Sequence, residues 1–321
     1  MTKQRRRSLI LVGALVGLVV VVLVVIFSSE EEDGTVRMAR ANWDSGYAQA
    51  EIYAALIEEL GYEVTDPSEH ELGPLNFYPA LRTGQYDLWA NGWFPNHEIF
   101  LDFETAAGLS TEGEIEPVGA QVDRGGREGY LVDKATAERL GLASMSELSD
   151  PSVAAEFDID GDGTADLFGC NEDWGCAQII NGHIADNDWG ANVEQDSGNY
   201  NDLIGEVRAR VDAGQPVLFY GWTPNWTYTV LTPGDNVEWL ESDFEVNDIQ
   251  AVANADFLDD HPDVRRLLEQ VTIDLGWIST QNERMAAGEY TQEHVRADAS
   301  QWIEENRATV NGWLENARAA S

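Results

Sequence analysis

From Leu9 to Phe27 the chain carries nineteen consecutive residues without a polar side chain, LILVGALVGLVVVVLVVIF. After Gly34 the pattern changes to short alternations of apolar and polar positions. VRMARANW (36–43) reads as a strand ending at the turn DSG. In AQAEIYAALIEELGY, residues Ala48, Ile52, Ala55, Leu56 and Leu60 share one face at helical spacing, and Gly61 stops the helix. YEVTDP is the next strand. This β-α-β opening predicts a parallel sheet with covering helices. FYPALRTG is then a helix and YDLWANGW (86–93) a strand. Further on, EGYLVD (128–133) reads as a strand and KATAERLGL (134–142) and MSELSDPSVAAEF (145–157) as helices. AQIINGHIADN (177–187) and NDLIGEVRARVDAGQ (201–215) are also helical, followed by PVLFYGWTPNW (216–226) as a strand running into a loop. IQAVANADFL (249–258) is a strand entering a helix. HPDVRRLLEQV (261–271) and the stretch 293–319 are amphipathic helices. The alternation is α/β throughout, with no internal repeat.

The first run has a different meaning. At about 1.5 Å per residue it spans roughly 28 Å, close to a bilayer's hydrocarbon core. Lys3, Arg5, Arg6 and Arg7 precede it, and Glu30, Glu31, Glu32 and Asp33 follow it. That asymmetry puts the N-terminus inside and everything after the run outside. The run is long for a signal-peptide core, and FSSEEED offers no small-x-small cleavage site. The expectation is an uncleaved signal anchor.

Charge narrows the partners. The chain has 58 acidic and 19 basic residues, a formal net charge of −39, and only Lys3 and Lys134 are lysines. Such a surface repels nucleic acid and anionic lipid headgroups. Eleven Trp, ten Tyr and ten Phe supply a core that an acidic disordered chain lacks. Dense carboxylate with little lysine fits a protein kept hydrated in concentrated salt, as in a halophile.

The candidate chemistry lies in four stretches, ANWDSGY, NGWFPNH, EDWGC and YGWTPNW. Each puts a tryptophan beside Gly, Asn, Asp or Pro at a strand end or a helix start. Core tryptophans sit inside periodic elements instead, as Trp302 and Trp313 do. Loop tips at the carboxyl ends of strands are where open α/β sheets bind ligands. Any one of these rings could be a packing residue, but four such loops point to a shared aromatic site. Aromatic faces attract a quaternary ammonium group, and they also stack on sugars. Gly175-Cys176 entering a helix adds free N–H groups suited to an anion such as a carboxylate. A cation box beside an anion site describes a pocket for a zwitterion.

GCNEDWGC, GQPVLFYGWTPNW and NGWFPNHEIF resemble the periplasmic glycine betaine/proline betaine-binding proteins of ABC transporters. The similarity extends to DIDGDGTADLFGC, EGYLVDKATAERLG and the C-terminal NGWLENA, and so covers most of the chain after the apolar run. It implies a type II periplasmic-binding-protein fold, with two α/β lobes closing on the ligand about a hinge. The boundaries expected are a basic segment (1–8), the anchor (9–27) and an acidic spacer (28–34). Residues 35–120 and 250–321 would form lobe I, and residues 121–249 lobe II. By resemblance, Trp93, Trp174 and Trp222 box the ammonium group, while His97 and the N–H groups of Gly175 and Cys176 hold the carboxylate. Trp43 and Trp226 would line or buttress the pocket. The implied partners are a betaine-type ligand and an ABC permease. The anchor and the acidity depart from the resemblance, which leaves the tethering and the salt optimum open.

Other signals are weaker. Asp158, Asp160 and Asp162 with Gly163 mimic the first half of a calcium loop, and Asp166 could contribute. The twelfth position is Gly169 rather than Glu, so an EF-hand is rejected; a structural Ca²⁺ and a plain Asp/Gly turn both remain. GxSxG, HExxH and the phosphate and dinucleotide glycine loops are absent, so no enzyme and no cofactor is expected. Cys170 and Cys176, the only cysteines, have no nearby His cluster and make no zinc site. Facing outward, they are expected to form a disulfide. The alternatives to a betaine-binding protein are the same fold binding choline or carnitine, and an anchored carbohydrate-binding module or enzyme with Trp platforms.

Overall fold

In the computed structural model the described residues are 34–102, 108 and 110–321. The expected anchor, Leu9–Phe27, lies outside them, as does all of the acidic spacer but Gly34. Among the described residues no helix is long and apolar enough to cross a membrane.

The chain starts with strands Thr35–Val36 (β1) and Met38–Ala41 (β2), then helix Tyr47–Leu60 (α1). As expected, Gly61 ends α1, with the left-handed φ of 112° that glycine adopts at least cost. Glu63–Val64 (β3) and Glu71–Leu72 (β4) are short, and Pro74–Arg82 (α2) leads into Leu88–Phe94 (β5). A 19-residue strand, Ile115–Asp133 (β6), follows. The next elements are Lys134–Leu140 (α3), Pro151–Ala154 (α4), Ala165–Phe168 (β7), Gly175–Asp186 (α5), Val193–Asp196 (β8), Tyr200–Asp212 (α6), Leu218–Thr223 (β9), Val237–Trp239 (β10) and Val246–Asn254 (β11). Five helices close the chain: Ala255–Asp260 (α7), Pro262–Leu268 (α8), Leu275–Ala286 (α9), Gln292–Glu305 (α10) and Arg307–Arg318 (α11).

β1 and β3 pair alone, and the other nine strands make one sheet in the order β4-β2-β5-β11-β6-β9-β7-β8, with β10 on β6. The predicted parallel pairing holds for β2 with β5 and for β7 with β8 and β9. Strands β6 and β11 run antiparallel to their neighbours. From Ile115 to Arg127, β6 pairs with β11; from Arg127 to Val132 it pairs with β9. One strand thus joins two groups of elements, and the pocket described below lies where they meet.

Two expectations are corrected in detail. The helix read over 145–157 is a 3₁₀ turn, Met145–Ser149, and the short α4. Asp150 between them is extended, because the ring of Pro151 disfavours a helical residue before it. The strand read over 36–43 stops at Ala41, leaving Trp43 in the turn before α1.

Candidate functional site

Four stretches at or near strand ends line a cavity of about 310 Å³, open mouth included. Its aromatic wall is Trp43, which follows β2; Trp93, near the end of β5; Trp174, just before α5; and Tyr220 and Trp222 of β9. Its polar lining is His97, Glu128, Gly175 and Cys176. All four indoles are more than 90 % buried.

Trp174 stands edge to face with two of the other indoles. Trp174 lies 5.4 Å from both Trp43 and Trp222, at 72° and 83° respectively. Each indole N–H is bonded to protein. Those of Trp43 and Trp93 both donate to Oδ1 of Asn91, at 2.9 and 2.8 Å, and Asn91 in turn donates to Gln49. That of Trp174 donates to Oδ1 of Asn42 at 2.7 Å, and that of Trp222 reaches Oγ of Ser45 at 3.5 Å. With the donors held by the wall, what the box offers is mainly electron-rich ring surface, the complement of a desolvated cation. The Trp93 ring packs directly on β6 because residue 126 is glycine; a Cβ there would come within 2.6 Å of the ring.

The remaining lining offers N–H donors. Helix α5 begins at Gly175 with the extended Trp174 as its cap residue and no side-chain cap. The first N–H groups of a helix have no acceptor within it, and the helix dipole adds positive potential there. His97 lies against this end: a Cβ on Gly175 would sit 3.6 Å from Nε2. Nδ1 of His97 accepts the main-chain N–H of Trp93 at 3.2 Å and meets the Tyr78 hydroxyl at 3.1 Å. The ring proton is therefore assigned to Nε2, making it a donor. Burial pushes the His97 pKa down to about 3, so the imidazole is neutral at ordinary pH. Three N–H donors, those of His97 Nε2, Gly175 and Cys176, thus line the same cavity as the aromatic box.

Cys170 and Cys176 are joined by a disulfide that closes the loop carrying Trp174. The structure brings together Trp43, Trp93, Trp174, Trp222, His97, Gly175 and Cys176. Trp226 is outside the box; it lines an adjoining polar recess with Asn42, Asn171, Asn199 and Asn225.

A family model for the substrate binding domain of ABC-type glycine betaine transport systems (OpuAC) matches residues 34–305. The chain belongs to this family. It is 34% identical over 311 residues to the glycine betaine-binding periplasmic protein OusX of Dickeya dadantii (strain 3937), covering 89% of this chain and 91% of that one. It is 32% identical over 296 residues to the glycine betaine/proline betaine-binding periplasmic protein of Salmonella typhimurium (strain LT2), covering 85% and 86%. Among solved structures, an ABC-transporter choline binding protein in complex with choline superposes with a TM-score of 0.71 at 17% identity, covering 89% and 96%. The architecture is thus an α/β fold that matches type II periplasmic binding proteins.

Two lining residues were not among the sequence candidates. Tyr220 is two positions before Trp222 and shares its face of β9, so the period of two could have found it. Glu128 faces Trp222 across the β6–β9 ladder, a relation fixed only by strand pairing. Outside the pocket, Asp158, Asp160 and Asp166 gather at one point, and Asp160 and Asp162 meet Glu194 of β8 at another. In this loop Asp158 accepts the N–H groups of Gly161 and Gly163, Asp160 that of Asp162, and Asp162 that of Thr164.

Proposed function

We propose that this chain captures glycine betaine or a closely related betaine outside the cytoplasm and delivers it to an ABC permease. One observation carries the reading: a single cavity is lined by four indole rings with bonded N–H groups and also by His97, Gly175 and Cys176, which offer three N–H donors. A trimethylammonium group fits the first and a carboxylate the second. No bond is made or broken; binding replaces the ligand's water with fixed rings and donors.

The 35–120/250–321 and 121–249 lobes are proposed on the pairing of β6, which changes partner near Arg127. β6 and β11 would carry the hinge, and a ligand held from both sides favours the closed state. Leu9–Phe27 would tether the chain, on the strength of its length and flanking charges. At about 1 M salt the Debye length is near 3 Å, so the acidic surface would serve hydration while local geometry sets affinity. A sugar-binding module is less well supported, since indole N–H groups held by the wall leave few donors for hydroxyls.

Calorimetry at high salt with glycine betaine, choline and an oligosaccharide panel tests this. Betaine should bind most tightly. Heat with an oligosaccharide and none with betaine would sink the proposal.

A further inference from the structure

Glu128 is a carboxylic acid in the wall of an aromatic cation box, and 9 % of its surface is exposed. Its two oxygens are held by three donors from three parts of the chain. The Tyr220 hydroxyl of β9 donates to Oε1. Nδ2 of Asn96, in the turn after β5, and Nδ2 of Asn247 in β11 both donate to Oε2, the latter at 3.0 Å. The orientation of Asn247 is fixed independently, because its Oδ1 accepts the main-chain N–H of Asn96 at 3.0 Å. Donors alone, with no acceptor among them but the phenol oxygen, are what an ionised carboxylate requires. Nothing in the wall neutralises its charge: none of the three donors is a cation. The guanidinium of neighbouring Arg127 is instead stacked on the Trp239 ring at 4.1 Å.

We propose that Glu128 is the counter-ion of the bound quaternary ammonium group, and that its charge sets the balance between bare cations and ligands that also carry a carboxylate. The inference rests on the betaine reading of the pocket and deepens it. A rigid ring box alone discriminates weakly between tetramethylammonium and betaine at its cationic end. A fixed carboxylate attracts both ammonium groups but repels the betaine carboxylate, so it favours the bare cation. The three donors at the α5 end act in the opposite sense. Ligand preference becomes a contest between Glu128 and His97 with the α5 N-terminus.

The charge is adjustable. Burial pushes the Glu128 pKa up to about 7, against the opposing effect of its three hydrogen bonds. The other titratable groups facing this region keep one state between pH 5.5 and 8.5. His97 stays neutral, and burial raises Tyr220, Tyr228 and Tyr200 above the ordinary phenol range. A cation that prefers the ionised form lowers the Glu128 pKa when it binds, so binding releases a proton and tightens as pH rises.

The test is calorimetry on the full-length chain at constant high ionic strength from pH 5.5 to 8.5, in two buffers of different ionisation enthalpy, with tetramethylammonium and glycine betaine as probes. Tetramethylammonium affinity should rise about tenfold over that range with proton release, and betaine affinity should rise less. Glu128→Gln should flatten both profiles and lower tetramethylammonium affinity at pH 8.5 about tenfold, while betaine still binds. Should that variant not fold, Tyr220→Phe removes the Oε1 donor and should move the wild-type midpoint upward. An unmoved midpoint in Tyr220→Phe would count against the counter-ion. A chain that binds betaine yet shows a flat tetramethylammonium profile, or takes no tetramethylammonium at pH 8.5, overturns the counter-ion alone. A chain that binds neither probe overturns the proposed function together with it.

Discussion

The main-chain N–H of Trp93 donates to Nδ1 of His97 at 3.2 Å, so one residue of the box fixes which nitrogen of the histidine carries its proton. Nε2 becomes the donor, and burial keeps the ring neutral by holding its pKa near 3. An unfolded histidine titrates near 6.5, so below that pH the unfolded chain binds a proton that the folded chain refuses. This contribution to stability is intact above about pH 6.5 and is lost as pH falls toward 3, at up to about 1.4 kcal/mol per pH unit. His97→Gln should therefore lose less stability between pH 6.5 and 4 than the wild type in denaturant titrations. Parallel curves for the two proteins would contradict the assignment. At pH 8, His97→Ala should weaken betaine about tenfold and tetramethylammonium hardly at all.

Ring contributions to the box differ by position. A ring facing a desolvated cation contributes about 0.5–2 kcal/mol, and removing one also opens the box to water. Trp174→Ala, Trp222→Ala and Trp43→Ala should each lower betaine affinity tenfold or more. Trp226→Ala and Trp313→Ala should stay within about twofold, since Trp226 lines the neighbouring recess and Trp313 stacks on Trp302 at 6.3 Å. Calorimetry on the five variants decides it. A large loss at Trp226 would move the site into the recess.

What the sequence disclosed depended on how local each signal was. Helix α1 was readable because an apolar stripe and a glycine stop lie within fifteen residues of each other. The tryptophan loops were readable because ring, turn residues and helix start are contiguous. Glu128 and Asn91 escaped notice, because strand pairing and side-chain contacts give them their roles. Helix α9 was missed for a different reason: it buries Gln281 and Asn282 beside Ile278 and Met285, and buried amides break the hydrophobic period. The first half of β6 is obscured by Pro117 and its glycines, whereas the break at Pro151 is legible in the sequence itself.

The Cys170–Cys176 disulfide closes a short loop, and on the chain-entropy estimate contributes only roughly 2 kcal/mol. Its position suggests a local use. Within the seven residues it spans lie Trp174, with one ring of the box, and Gly175, with one donor; Cys176 supplies another. Held in place beforehand, these groups need little ordering when the ligand arrives. Reduction, or the paired change Cys170→Ser and Cys176→Ser, should weaken betaine about tenfold while the melting temperature falls by a few degrees only. Equal affinity before and after reduction, measured on protein still folded by circular dichroism, would show that the bond serves stability alone.

Asn42, just past β2, bridges to the loop before α5. Its Oδ1 accepts the Trp174 indole N–H at 2.7 Å, and its Nδ2 donates to Asp173 at 3.1 Å. Nearby, the main-chain N–H of Leu75 donates to the carbonyl of Asp173 at 3.2 Å. These three bonds tie the turn after β2 and the start of α2 to the loop before α5. Asn42→Ala removes two of these three bonds and leaves a buried indole donor unpaired, a change of about 1–3 kcal/mol. If the arrangement belongs to the closed, ligand-holding state, that change falls on ligand release rather than on the free protein. Stopped-flow tryptophan fluorescence should then show betaine leaving Asn42→Ala about tenfold faster or more, with an association rate within about twofold of wild type. The melting temperature of the ligand-free chain should hardly move. An unchanged release rate would mean that these bonds persist whether or not the pocket is filled, and that closure is held elsewhere.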